Sequence, residues 1–164
     1  MDIALFLDLA TELEMRISKV YEKLSGLSDN DALAGRLLSM LDEEINHANI
    51  LRRGKDYLKE MPDVLRRVHI QEDELKKGLD ESEAFLAELD AGLSFRDGLT
   101  RLLKFEKRFE RIHLNTALEV GEPSLTNLFN ALMAGDQDHV RAVSEIIAGL
   151  DRSRTTASPI KSIA

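Results

Sequence analysis

Hydrophobic residues recur along this chain with a period near 3.6 residues, which is the spacing of one face of an α-helix. The first such stretch runs from about Asp2 to Leu24. Its apolar stripe consists of Phe6, Ala10, Leu13, Ile17, Tyr21 and Leu24. Only three prolines and nine glycines interrupt the chain, so long helices are favoured throughout. The pattern predicts an all-α fold.

A second long helix is predicted between Gly26, which ends the first, and Pro62. Ser28 followed three residues later by Asp31 resembles a capping box at its start. Its buried stripe is expected to contain Leu37, Leu41, Ala48 and Leu51. The charged segment that follows also has helical spacing at residues 72–89, so one or two extra helices are expected there.

The third long helix is predicted to begin at Ser94, with Asp97 as its reciprocal cap, and to end at Gly121. Its apolar residues are Leu99, Leu103, Phe109 and Leu114. Pro123 suits the first turn of a fourth helix, because its missing N–H loses no hydrogen bond there. The stripe of the fourth helix contains Leu125, Phe129, Leu132, Val140, Val143 and Ile147.

These elements predict a four-helix bundle in one domain spanning residues 1–150. The long connection between the second and third main helices would let them run parallel, as a crossover bundle requires. A chain of 164 residues is long enough for one well-buried core and short for two. Residues 151–164 are small and polar and include Pro159, so they are expected to form a flexible tail.

Composition narrows the chemistry that this domain can perform. The absence of cysteine excludes disulfides, thiolate metal sites and a rubredoxin-type iron centre on this chain. The net charge of −8 disfavours nonspecific binding to nucleic acid or anionic membranes. Neither a membrane-spanning apolar run nor a signal peptide is recognisable, so a soluble cytoplasmic protein is expected.

Four acids stand where the apolar stripes predict hydrophobic residues. They are Glu14, Glu44, Glu106 and Asp136, one in each long helix. All four should therefore point toward the bundle axis, where unpaired carboxylates cost several kcal/mol each, as an order of magnitude. Two divalent cations would balance their combined charge.

Two histidines complete a repeated arrangement. His47 follows Glu44 by three residues, and His139 follows Asp136 by three, so each pair lies on one helix face. The triplet Glu14, Glu44 and His47 recurs 92 positions later as Glu106, Asp136 and His139. The constant offset suggests an internal duplication that places half of a two-metal site in each half of the chain. Imidazole with carboxylate suits iron or manganese, and zinc less selectively.

Helix three carries a further acid-x-x-His pair, Glu110 and His113, one turn beyond Glu106. Tyr21 follows Glu14 by seven residues, as His113 follows Glu106, so both should lie along the ligand-bearing face. We expect Tyr21 and His113 to hydrogen-bond the ligating carboxylates or relay protons. In the alternative, Glu110 or His113 itself binds a metal in one oxidation state.

With these residues the chain resembles the ferritin-like superfamily, and more closely the rubrerythrin-like proteins that lack a rubredoxin domain. The resemblance covers about residues 2–150 and rests on the segments ELEMRISKVYEKL, EINH, KFEKRFERIH and DQDH. It implies single-carboxylate ligands at Glu14 and Glu106 and paired ligands at Glu44 with His47 and Asp136 with His139. The family pattern has glutamate where Asp136 stands, and aspartate is one methylene shorter, so a bridging role there is less easily met.

The resemblance implies a di-iron oxidoreductase that reacts with dioxygen or hydrogen peroxide. Because the chain lacks cysteine, electrons would come from an external donor or from Fe(II) itself. Two other interpretations stay open: ferritin-type iron oxidation and storage, and a helical binding or scaffold module that has lost its metals. A homodimer is the expected assembly, since long amphipathic helices leave apolar residues exposed.

Overall fold

The computed structural model describes residues 1–60, 72–120 and 122–156. Within these ranges the chain forms five α-helices and no strand. They are α1 (Ile3–Gly26), α2 (Asp31–Glu60), α3 (Glu72–Asp90), α4 (Phe95–Val120) and α5 (Pro123–Thr156). The all-α prediction is confirmed, and α3 is an extra helix of the kind predicted over residues 72–89. The predicted boundaries at Pro62 and Gly121 lie outside the described residues. No described helix has both the length and the apolar character needed to cross a bilayer.

The start of α2 differs from the predicted capping box. Asn30, rather than Ser28, caps the helix, because its Oδ1 accepts hydrogen bonds from the N–H groups of Ala32 (3.0 Å) and Leu33 (3.1 Å). The hydroxyl of Ser28 instead donates to the carbonyl of Asn30. Asp31 becomes the first helical residue, where its negative charge favours the positive end of the helix dipole.

The other two predicted starts agree with the structure. Ser94 accepts a hydrogen bond from the N–H of Asp97 at 3.2 Å, and its hydroxyl donates to the Asp97 carboxylate at 2.6 Å. Pro123 is the first residue of α5. Glu122 precedes it, and its carboxylate accepts from the N–H of Leu125 at 2.8 Å. Both helices therefore begin with their first N–H groups partly satisfied by side chains.

The core lies between two closely packed helix pairs, α1 with α2 and α4 with α5. Contacts of α2 with α5 and of α1 with α4 join the pairs, and α3 packs against α1. The predicted stripe of α4 is wrong at Leu114, which is 39% exposed, whereas Leu103 is partly buried and packs against the core. Leu102, Phe105 and Ile112 take the buried positions. They share one face with Leu99 and Phe109, as the 3.6-residue period requires.

The end of α5 also differs from expectation. The helix continues past the predicted boundary at residue 150 and reaches Thr156. Within that extension Asp151 accepts two hydrogen bonds from Arg96 on α4, from Nε at 2.9 Å and Nη2 at 3.1 Å. The two parallel N–H groups of the guanidinium match both carboxylate oxygens. Residues 151–156 therefore belong to the helical fold, whereas residues 157–164 lie outside the described residues.

Candidate metal centre

The acids and histidines of the predicted site are buried together between the two helix pairs. They are Glu14 from α1, Glu44 and His47 from α2, Glu106 and His113 from α4, and Asp136 and His139 from α5, and each is at most 6% exposed. In α2 and α5 the acid and the histidine lie three residues apart on the inward face, as the sequence predicts. Three groups of these residues bring potential ligand atoms within 4.8 Å of one another.

The first group is Glu14, Glu44 and His47, which matches the first predicted triplet. The imidazole Nδ1 of His47 lies 3.5 Å from Oε2 of Glu44 and 3.9 Å from Oε2 of Glu14. One nitrogen thus faces carboxylates from two different helices. This arrangement offers one imidazole and two carboxylates to a single cation.

The second group consists of Glu44, Glu106 and His139. Nδ1 of His139 lies 2.8 Å from Oε1 of Glu44 and 3.7 Å from Oε2 of Glu106. Tyr21 donates its phenolic hydrogen to Oε1 of Glu106 at 2.7 Å. Glu44 therefore belongs to both groups and offers one oxygen to each histidine.

Asp136 does not join the second group, although the duplicated pattern predicts it there. Its Oδ2 lies 2.6 Å from Nδ1 of His113, and Nε2 of His113 lies 3.6 Å from Oε1 of Glu14. These three residues form the third group. Aspartate is one methylene shorter than glutamate, so Asp136 reaches the imidazole on neighbouring α4 rather than the carboxylates that it was expected to join.

Three buried polar atoms at the centre have no hydrogen-bond partner: Oε2 of Glu44, Nδ1 of His47 and Nδ1 of His139. The Nδ1 of His139 is close to Glu44 but is not aligned for a hydrogen bond. Unpaired buried polar atoms cost about 1–3 kcal/mol each, so a folded core rarely leaves three together. All three are atoms of the type that transition metals bind, and each belongs to a residue of the first or the second group.

Burial and the charges of neighbouring groups shift the pKa values of the acids in the centre. Burial, reinforced by the charge of Glu44, raises the pKa of Glu14 to about 7. Burial likewise raises the pKa of Glu106, despite the opposing charge of nearby His139 and the hydrogen bond from Tyr21. Although burial opposes it, the neighbouring groups of Glu14, His139 and His47 lower the pKa of Glu44. Glu14 thus titrates near neutrality beside Glu44, which readily stays ionised.

The pKa values of the three histidines are raised, whereas burial alone would lower them. Burial disfavours the charged imidazole, but the Glu14 and Glu44 carboxylates outweigh it and raise the pKa of His47 to about 10. Glu106 and Glu44 similarly raise that of His139 to about 12. The pKa of His113 is raised as well, since the charge of Asp136 outweighs burial. Without metal, these protons neutralise the acids, and a cation of higher charge would displace them.

Two residues that contact the histidines were not predicted from sequence. Glu43, 51% exposed at the side chain, lies with Oε2 3.0 Å from Nε2 of His139. Gly135 packs against His47, and a side chain at that position would overlap Nε2 and come within 2.6 Å of Cε1. The offset of 92 pairs Glu43 with Gly135, so a comparison of the residues preceding each acid-x-x-His pair would have singled out both.

The remaining predicted ligand, Glu110, is partly exposed on α4 and is not a member of any of the three groups. Of the acid-x-x-His pair at Glu110 and His113, only the histidine faces the centre. Tyr21 lies against the site as expected, with its ring centroid 5.8 Å from that of His139. The chain's remaining histidine, His69, lies outside the described residues.

No family model, no curated protein and no solved structure matches the chain.

Proposed function

We propose that the chain binds two divalent transition-metal ions between its helix pairs and acts as a ferritin-like, rubrerythrin-type di-iron oxidoreductase toward dioxygen or hydrogen peroxide. The observation that carries the proposal is the set of three unpaired buried donors, on Glu44, His47 and His139. They lie among four buried carboxylates whose combined charge two divalent ions would balance.

The donor types favour iron. Carboxylate and neutral imidazole together suit Fe(II), with manganese and zinc as alternatives, and no thiolate is present to select a softer metal. Bound iron would supply the one-electron changes that reduce an oxidant. Reduction of one hydrogen peroxide to two waters takes two protons and two electrons, one electron from each of two ferrous ions. An external donor would then return the two electrons.

The protein's own residues would hold the ions in position and supply protons. Glu44 offers one oxygen to each half of the site, so its carboxylate would help to hold both ions. Tyr21 holds Glu106 through a 2.7 Å hydrogen bond, which fixes the carboxylate and provides a buried O–H beside it. Because every group of the centre is buried, bulk water is largely excluded.

Anaerobic loading with Fe(II) followed by stoichiometric peroxide tests the proposal. We expect two Fe(II) per chain and oxidation much faster than that of free Fe(II), with an absorption change in the near ultraviolet. The Glu44→Gln variant should lose both the iron and the fast phase. Asp42→Asn is the matched control, because Asp42 is exposed two residues away on the same helix and should behave as wild type.

Two results would contradict the proposal in different ways. Protein that binds no iron, and whose melting temperature does not respond to Fe(II) or Mn(II), would indicate a metal-free helical module. Rapid oxidation accompanied by a many-subunit particle in size-exclusion chromatography would indicate iron storage instead. A monomer or dimer is expected.

A further inference from the structure

We infer that His113 is a direct metal ligand through Nε2 and that Asp136 orients its ring, so that the two residues exchange the roles that the duplicated pattern gives them. The inference rests on the proposed metal centre and specifies its ligand set. The centre would then hold three imidazole ligands: His47, His113 and His139.

The first observation is the direction of the His113 ring. Its Nδ1 lies 2.6 Å from Oδ2 of Asp136, so Nδ1 donates its hydrogen to the carboxylate. In a neutral imidazole that bond leaves the lone pair on Nε2. A carboxylate that holds one ring nitrogen while the other binds metal is the usual support of a histidine ligand.

The second observation is what Nε2 faces. It lies 3.6 Å from Oε1 of Glu14, while Oε2 of the same carboxylate lies 3.9 Å from Nδ1 of His47. Two donors bound to one ion at about 2.1 Å each are at most about 4.2 Å apart, so both separations permit a shared ion. Glu14 therefore lies between two imidazoles, one from α2 and one from α4.

The internal duplication gives a third, independent argument. His113 occupies the position that Tyr21 occupies in the first half. Tyr21 reaches across to Glu106, the single carboxylate of the other half, and His113 reaches across to Glu14. The phenolic O–H of Tyr21 donates a hydrogen bond at 2.7 Å, whereas the imidazole nitrogen of His113, 3.6 Å from Glu14, is far enough away to share a metal ion with that carboxylate.

The substitution at Asp136 fits the same arrangement. A bridging acid from α5 would need to reach the carboxylates of both halves. Asp136 is buried and its carboxylate instead accepts a hydrogen bond from His113. The imidazole replaces the lost carboxylate near Glu14. The ion there would thus carry one more neutral ligand and one fewer negative charge than a fully carboxylate-bridged site.

Cobalt(II) tests this assignment without any activity measurement. Each histidine bound to Co(II) retains one N–H, whose proton resonance is contact-shifted far outside the normal range. We expect three such resonances in the wild-type protein and two in His113→Gln. His69→Gln is the matched control, since it removes the one histidine that is not assigned to the centre and should leave all three resonances. A wild-type protein with two resonances, both retained in His113→Gln, would overturn the inference.

A second variant keeps the test decisive if His113→Gln fails to fold. Asp136→Asn retains a hydrogen-bond acceptor, so one contact-shifted resonance should move and one Co(II) affinity should fall about 10- to 100-fold. Unchanged resonances in this variant would contradict the role of Asp136. Absence of any Co(II) binding would instead reject the metal centre itself, while two bound ions with two resonances would reject only His113 as a ligand.

Discussion

The ring of His47 on α2 fills the space that any side chain at Gly135 on α5 would need. An added methyl group would overlap Nε2 and lie 2.6 Å from Cε1. The position is helical, so glycine is present there for its small size rather than for an unusual backbone conformation. A larger residue at position 135 would therefore have to displace the His47 ring or move α5 away from α2.

Gly135→Ala should therefore displace His47 and weaken metal binding at the Glu14 half of the centre. We expect destabilisation of about 1–3 kcal/mol from overpacking, which outweighs the better helix propensity of alanine. Urea unfolding and Co(II) titration measure the two effects. Gly149→Ala on the same helix is the control, because an added Cβ meets nothing within 4 Å, and it should stabilise or be neutral. Equal behaviour of the two variants would refute the packing argument.

Tyr21→Phe should slow iron oxidation while leaving the number of bound metal ions unchanged. The change removes the 2.7 Å hydrogen bond to Glu106 but keeps the ring in its place. Loss of a buried hydrogen bond to a carboxylate should lower the free energy of unfolding by about 1.5–3 kcal/mol. Stopped-flow absorbance and urea unfolding check both outcomes. Tyr57→Phe is the control, since Tyr57 bonds Ser124 at 3.3 Å and not the centre. A variant that loses metal would show that Tyr21 is needed for binding itself.

Glu43→Gln should weaken metal binding at the His139 half about 10- to 100-fold. The carboxylate lies 3.0 Å from Nε2 of His139, where it orients the ring and makes Nδ1 a stronger donor. Glutamine keeps the shape but not the charge. Isothermal titration with Co(II) should show one weakened and one unchanged site, and Asp42→Asn should match wild type. Two unchanged sites would mean that the contact has no influence on the ligand.

The stability of the metal-free protein should fall as the pH rises, whereas its affinity for metal should rise. Folding raises the pKa of Glu14 from 4.5 to about 7 and that of His47 from 6.5 to about 10. A raised pKa means that the folded state binds the proton more tightly, so the contribution to stability is complete below the unfolded value. It is lost as the pH rises through the folded value. The free energy of unfolding of the metal-free protein should thus fall as the pH rises from 4.5 to about 10.

Metal affinity should rise over the same range, because protons compete for the same donors. Urea unfolding of chelator-treated protein and Co(II) titration, each across a pH series, separate the two trends. Metal-free protein that gains stability with rising pH would show that the buried histidines are not charged in the folded state.

The helical content and the inward direction of the acids follow from the chain's own spacing. A period of 3.6 residues specifies which side chains share a helix face. Glu14, Glu44 and Glu106 each stand at a position on the apolar face of their own helix. Burial of these residues could therefore be predicted before any packing was known. The same periodicity predicts a buried Leu114 on α4, and this prediction is wrong, because the residue is 39% exposed.

Which acid meets which histidine was decided by how the helices pack. A face of a helix spans several possible partners, and the reach of each side chain selects among them. Asp136 is too short to behave as its glutamate counterpart and binds His113 at 2.6 Å instead. Glu43 looks like a solvent-exposed acid in the sequence, and only the closeness of α2 and α5 brings it to His139. Position on a face is a local property of the chain, whereas contact across the core depends on the distances between helices.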